Sequence, residues 1–278
     1  MHRRNQLPDF RANRVASMLG DLTVRSGRVK RAKRLATRSF RAESGEFLAE
    51  GPQAVREALI EGLARDIFVT PEAHERHADL PALDTGDAEW HLVDDEVLMH
   101  VADAVNPQGI VARCIQVQYE FDAVLADGPK LLAVCAEIRD PGNAGSVIRA
   151  ADAAGADAVI FAGDSVDPWN PKAVRASVGS IFHVPIVVER DILTAIAAVN
   201  DAGLQVLAAD GAGDIGLFEV ALDVPTAWLM GNEAWGLSEE IRSLADQVVS
   251  IPIYGRAESL NLANAATLCL YTSAQAQR

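Results

Sequence analysis

Residues 131–136 read Leu-Leu-Ala-Val-Cys-Ala and residues 158–162 read Ala-Val-Ile-Phe-Ala, two apolar runs of strand length with no polar alternation. A strand with no polar face must be covered on both sides, which is the pattern of a parallel sheet packed between helices. Further strand-like runs follow at 184–188, 204–208, 226–230 and near Val248, and helix-forming stretches lie between them at 145–154, 171–179, 192–202 and from Ser238. This part of the chain is therefore predicted to be an α/β domain of six strands, a mostly parallel sheet with helices on both faces.

Ahead of it, residues 46–117 repeat the alternation on a smaller scale. A short strand from Phe47, a helix opened by Pro52, a strand at 66–69, a run at Trp90 and a strand at 110–117 predict a separate small α/β domain. The segment 119–130 breaks the pattern with Asp122, Asp127, Gly128 and Pro129 and reads as a linker. Charge divides the chain further. The net charge is −14, yet residues 1–41 hold 12 Lys and Arg against Asp9 and Asp21. The expected organisation is a basic arm over 1–41, helix-forming from Leu22 to Arg41, with order beginning at Glu46, a small domain over 42–118, the linker, and a main domain over 131–278. A basic arm on an acidic body can steer an anionic polymer to one face.

Several classes drop out. No apolar run approaches the roughly 18 residues of a membrane span, and no apolar region follows Arg3 and Arg4, which predicts a cytoplasmic protein. Cys114, Cys135 and Cys269 are far apart in apolar contexts and read as buried reduced thiols. His74, His77, His91 and His100 are spaced for solvated loops and helix faces, and no metal site is expected.

Three stretches carry chemistry, each where a strand runs into a helix. The first is Arg139-Asp-Pro-Gly-Asn-Ala-Gly-Ser-Val-Ile-Arg149, with Asn143 in the loop and the Arg149 fork one to two turns into the helix. The second is Leu229-Met-Gly-Asn-Glu-Ala-Trp-Gly-Leu-Ser238, where two glycines permit close approach and Glu233 offers a carboxylate. The third is Ile251-Pro-Ile-Tyr-Gly-Arg-Ala-Glu-Ser-Leu-Asn261, leading into a final helix that Ser259 could cap. In a parallel sheet all three loops reach the same edge, where α/β folds bind ligands. The run Gly211-Ala-Gly-Asp-Ile-Gly216 matches a dinucleotide fingerprint, but too few residues follow it for the required helix.

The motifs Asn143-x-Gly145-x-x-x-Arg149, Gly231-Asn-Glu-x-x-Gly-Leu-Ser238 and Ile251-Pro-Ile-x-Gly255 with Ser259-Leu-Asn261 resemble, in order, those of SpoU-type RNA ribose methyltransferases of the SPOUT superfamily. The stretch 171–185 resembles the same family, and residues 46–117 are similar to the L30-like RNA substrate-binding domain that precedes many members. The resemblance implies a trefoil-knotted catalytic domain, a homodimer, S-adenosylmethionine as cofactor and transfer to a ribose 2′-hydroxyl of RNA, ribosomal before transfer RNA. It implies Arg149, Asn143 and Glu233 as catalytic residues. For the cofactor it implies Ala209, Asp210, Met230, Gly231, Ile251, Ile253, Ser259, Leu260 and Asn261. A guanidinium stays protonated at neutral pH, so Arg149 is better suited to hold an anion than to remove a proton. At Ala263-Asn264 the chain departs from the commoner family pattern, which touches local packing alone. The competing class is a non-catalytic RNA-binding or assembly factor that keeps the fold.

Overall fold

A computed structural model describes residues 15–278. The chain divides into two compact units, Met1–Ile115 and Gln116–Arg278.

In the first unit a five-stranded sheet is built from β1 (Val15–Ser17), β2 (Glu46–Glu50), β3 (Ala64–Val69), β4 (Glu89–Leu92) and β5 (Ile110–Ile115), in the order β1-β4-β3-β5-β2. Strand β5 runs antiparallel to both β2 and β3, whereas β4 pairs in parallel with β3 and β1. Helices α1 (Gly27–Arg34), α2 (Arg38–Ser44), α3 (Pro52–Ile60), α4 (Pro71–Arg76) and α5 (Asp95–Val101) complete the unit.

The described part of the expected basic arm belongs to this unit. Order does not wait for Glu46, because Val29, Ala32, Leu35 and Phe40 enter one core with Leu48, Phe68, Val97 and Val111. Helix α1 falls within the expected helix-forming segment and has an apolar stripe beneath a basic exterior, but the density of charge hides its burial in the sequence. The first 14 positions of the arm lie outside the described residues.

His91 also departs from expectation, for it is fully buried on β4 and bonds Asp66 at 2.9 Å. Asp66 is the hub of an ionic cluster. Arg28 of α1 donates to it at 2.6 Å and reaches Glu89 at 2.8 Å, while Arg113 of β5 pairs with both Asp66 and Glu46. Arg31 adds a second bond to Glu46, so two cations of α1 point at the sheet. Burial works to raise the Asp66 carboxyl, but the bonds from His91, Arg113 and Arg28 hold it well below the usual carboxylate range. Asp66, Glu89 and His91 lie close enough to share an ion, yet Asp66 is already saturated by cationic donors, a poor setting for a metal.

The second unit carries β6 (Leu131–Ala136), β7 (Ala158–Ala162), β8 (Ile186–Glu189), β9 (Gln205–Ala209), β10 (Ile215–Gly216), β11 (Thr226–Met230) and β12 (Gln247–Ser250). Its sheet is parallel throughout, in the order β10-β12-β9-β11-β6-β7-β8. The seventh strand, β10, ends the Gly211–Gly216 run against β12, and turns rather than a helix lead on to β11. The expected linker contains α6 (Phe121–Ala126), whose Val124 joins the core of this unit.

Helices cover both faces. Helix α9 (Ile192–Asp201) and α6 pack over Leu132, Val134 and Ile160. On the other face lie α7 (Pro141–Ala154) and α11 (Leu262–Ala276), where Trp228 donates to Ser273 at 2.8 Å. Cys114 on β5, Cys135 on β6 and Cys269 on α11 are all buried, and burial pushes the Cys114 and Cys269 thiols up to about 12. Among the described residues no helix is long and apolar enough to cross a membrane.

Candidate active site

The three strand-end loops converge because β6, β11 and β9 are neighbours and β12 lies beside β9, all pointing the same way. Beyond β6, Asp140 accepts from the Asn143 N–H at 2.9 Å and Pro141 sets the first helical turn, so α7 starts four residues before its expected first residue. Asn143 therefore sits in the first turn of α7 rather than in a loop. Its position is fixed, and so is the direction of its amide.

One hydrogen-bonded chain joins the three loops. Asn261 Nδ2 donates to Asn143 Oδ1 at 3.0 Å, and Asn143 Nδ2 donates to Glu233 Oε1 at 3.1 Å. Glu233 also accepts from the backbone N–H groups of Asp140, at 3.0 Å, and Arg139, at 3.1 Å. Burial alone would raise the Glu233 carboxyl, but these N–H groups and the Asn143 amide bring it below its ordinary value. Glu233 is thus an ionised scaffold with both oxygens in use. Asp140 is secured in turn by Lys172 of α8 (Pro171–Ser177) at 2.9 Å, and that ammonium lowers its carboxyl. Helix α8 touches α7 at Gly145, where a Cβ would stand 2.2 Å from the Ala173 carbonyl oxygen.

The loops enclose a cleft of about 610 Å³. Ala209, Asp210, Gly231, Ile251, Ile253, Ser259, Leu260 and Asn261 all line it, together with Asn143 and Glu233. Met230 does not; it is buried as the last residue of β11, one position behind the wall. Ser259 is not the cap of the final helix. Asn261 takes that role, accepting from the Ala263 N–H at 2.9 Å, because the helix begins at Leu262. Gly231 is required for the wall to close, since a Cβ there would lie 2.4 Å from the Gly236 carbonyl carbon. Arg149 stands apart from the cleft lining, exposed on α7 and without an ion-pair partner among the described residues.

Sequence reasoning missed Asp140, Asn232 and Trp235. The Asp-Pro step before an apolar run is a helix-start signal that would have found Asp140. Asn232 holds its loop by donating to the Glu137 carbonyl at 2.7 Å, a partner 95 residues away that no local pattern announces.

Comparison with known proteins places this architecture. Residues 130–271 match the SpoU rRNA Methylase family, and residues 27–112 match the MRM3-like substrate binding domain. The chain belongs to the SpoU rRNA methylase family. It is 32% identical over 251 residues to the 23S rRNA (guanosine(2553)-2′-O)-methyltransferase RlmP of Bacillus subtilis, covering 90% of this chain and 96% of that protein. It is 34% identical to the 23S rRNA (uridine(2479)-2′-O)-methyltransferase of Streptomyces viridochromogenes, covering 85% of each. The crystal structure of an AdoMet-bound rRNA methyltransferase from Sinorhizobium meliloti matches with a TM-score of 0.79 at 31% identity, over 91% of this chain and 96% of that one.

Proposed function

We propose that this chain methylates a ribose 2′-hydroxyl of 23S rRNA. It is an S-adenosylmethionine-dependent RNA ribose 2′-O-methyltransferase, and its named relatives act on 23S rRNA. The observation that carries the reading is the Asn261–Asn143–Glu233 chain, which locks three loops around one cleft. An assembly factor without chemistry would have no need of such a locked polar arrangement, which disfavours that alternative.

The cleft fits the cofactor. It combines apolar side chains of Ala209, Ile251, Ile253 and Leu260 with the backbone at Gly231, and its volume is that of a small-molecule site. When bound, S-adenosylmethionine supplies a methyl group that is already electrophilic. The residues of the chain then have mainly to position the ribose. In our reading Asn143 holds the target through an amide oriented by Glu233 and Asn261. Glu233 orients rather than accepts a proton, since its oxygens are occupied and its affinity for protons is lowered. Arg149, a guanidinium with no ion-pair partner among the described residues, holds a phosphate of the target strand.

The proposal includes a homodimer, a knotted C-terminal passage and a cytoplasmic setting. The exposed Leu268 and Tyr271 of α11 support the first, and the return of α11 from β12 to β6 and α7 supports the second. The test is transfer of radiolabelled methyl groups to a 23S rRNA transcript, followed by mapping of the 2′-O-methyl position. One labelled ribose is expected. Cofactor binding with no label on 23S rRNA but label on transfer RNA would overturn the choice of substrate, and no cofactor binding would overturn the whole reading.

A further inference from the structure

Resting on the methyltransferase reading, we infer that Trp235 is a stacking platform for a base of the RNA substrate. Of the four tryptophans, Trp90, Trp169 and Trp228 are buried, whereas Trp235 is 61% exposed and lines the cleft. The ring is not exposed because its loop is loose. Asn232 and Gly236 exchange two backbone hydrogen bonds of 2.9 Å, Ala234 N–H donates to the Asn232 side chain at 2.8 Å, and Asn232, itself buried, is anchored to Glu137. Glu233, two residues before the indole, is tied to α7 through Asn143. A rigid turn therefore presents a large flat apolar face beside the polar chain that orients the ribose.

The chemistry of the wall narrows the partner. Among the described residues the cleft lining includes Asp210, Glu233 and Glu258 and no Lys or Arg; Arg242 reaches Asp210 at 3.6 Å, which leaves Glu233 and Glu258 to make this wall unfavourable to phosphate. A nucleobase is the part of an RNA strand that such a wall can hold, because every base has a π-face and stacking on an indole needs no charge. Stacking tolerates any base, so Trp235 sets how firmly the nucleotide is held and not which base is chosen.

An adenine ring of the cofactor has the same stacking chemistry, and the experiment separates the two sources. Tryptophan fluorescence of the full chain is titrated with S-adenosylmethionine alone and then with a 23S rRNA transcript, in wild type and Trp235→Phe. The expected result is a quench that appears with RNA, is small with cofactor alone and is absent from Trp235→Phe. In steady-state transfer, Trp235→Ala is expected to raise KM for RNA about tenfold with a smaller change in kcat and unchanged cofactor affinity, and Trp235→Phe to restore most of it. A full quench by cofactor alone would assign the ring to adenine and overturn the inference. A wild-type KM in Trp235→Ala would overturn it as well, as would a Trp235 that acrylamide cannot reach in the RNA-free protein, which would place it under a second copy. Failure of the methyltransferase reading looks different, since wild type itself would then neither bind cofactor nor transfer methyl groups.

Discussion

In the proposed site Glu233 is a charge that is used up, and Arg149, which stands apart from the cleft lining, is a charge that is left over. Because both Glu233 oxygens face N–H donors, Glu233→Gln turns an amide NH2 toward at least one of them and tilts Asn143. The side chain is exposed, so its loss should change thermal stability little, while misplacing the target should lower methyl transfer about 10²-fold. Calorimetric melting beside single-turnover transfer measures both. Arg149→Ala removes the unpaired cation and should lower transfer about 10²-fold or more with cofactor affinity intact, and Arg149→Lys should recover part of it, lacking only the planar fork. Unchanged transfer by Arg149→Ala would remove Arg149 from the site. At this scale much could be read in advance: Asn143, Glu233 and Asn261 are named by motif alone. The Ser259 cap was misassigned because Ser-Leu-Asn offers two capping residues two positions apart, and only the packing of α11 selects the second.

Helix α1 sorts its cations by face. Arg28 and Arg31 turn inward to Asp66, Glu89 and Glu46, whereas Lys30 and Lys33 are exposed on the opposite side and Arg34 lies over the Phe40 ring at 3.8 Å. The two sets should fail differently. Reversing Lys30 and Lys33 to Glu should weaken RNA binding and reduce the slope of log affinity against log salt by about 1 to 2, with no change in melting temperature. Asp66→Asn should instead destabilise the first unit by about 1–3 kcal/mol, since it removes the buried acceptor that His91, Arg113 and Arg28 share. The pH dependence has a definite sign. The folded-state Asp66 carboxyl titrates below its unfolded value of about 3.9, so its contribution is complete above that value and is lost as the pH falls from there through the folded value. Acid denaturation followed at β-sheet wavelengths should move to higher pH in Asp66→Asn. Elements with unbroken apolar runs, β6, β7 and β11, are readable to the residue. The helix of α1 could be read as well, but its burial could not, because the seam of Val29, Ala32 and Leu35 is interrupted by four cations; nor could the burial of His91, because the Asp66 that accounts for it lies 25 residues away.

The whole molecule is two units with separate cores, the first closed by Ile115. Among the described residues, those lining the candidate cleft come from the second. A chain of residues 116–278 is accordingly expected to fold, to bind S-adenosylmethionine as the full chain does and to bind a 23S rRNA transcript more weakly and with a shallower salt dependence; an unfolded product would show that the units depend on each other for stability. The parallel alternation that defines the second unit was plain in the sequence, while the way distant loops lock through Asn143 was not, since hydrogen bonds across 90 and 118 residues leave no local trace. The buried thiols give these units a clock. Cys114 sits within the first and Cys135 and Cys269 within the second, on two different elements, and none can meet an alkylating reagent without an opening of its surroundings. A pulse of reagent followed by mass spectrometry would thus time the opening of each unit in an unmodified chain, with no label to introduce.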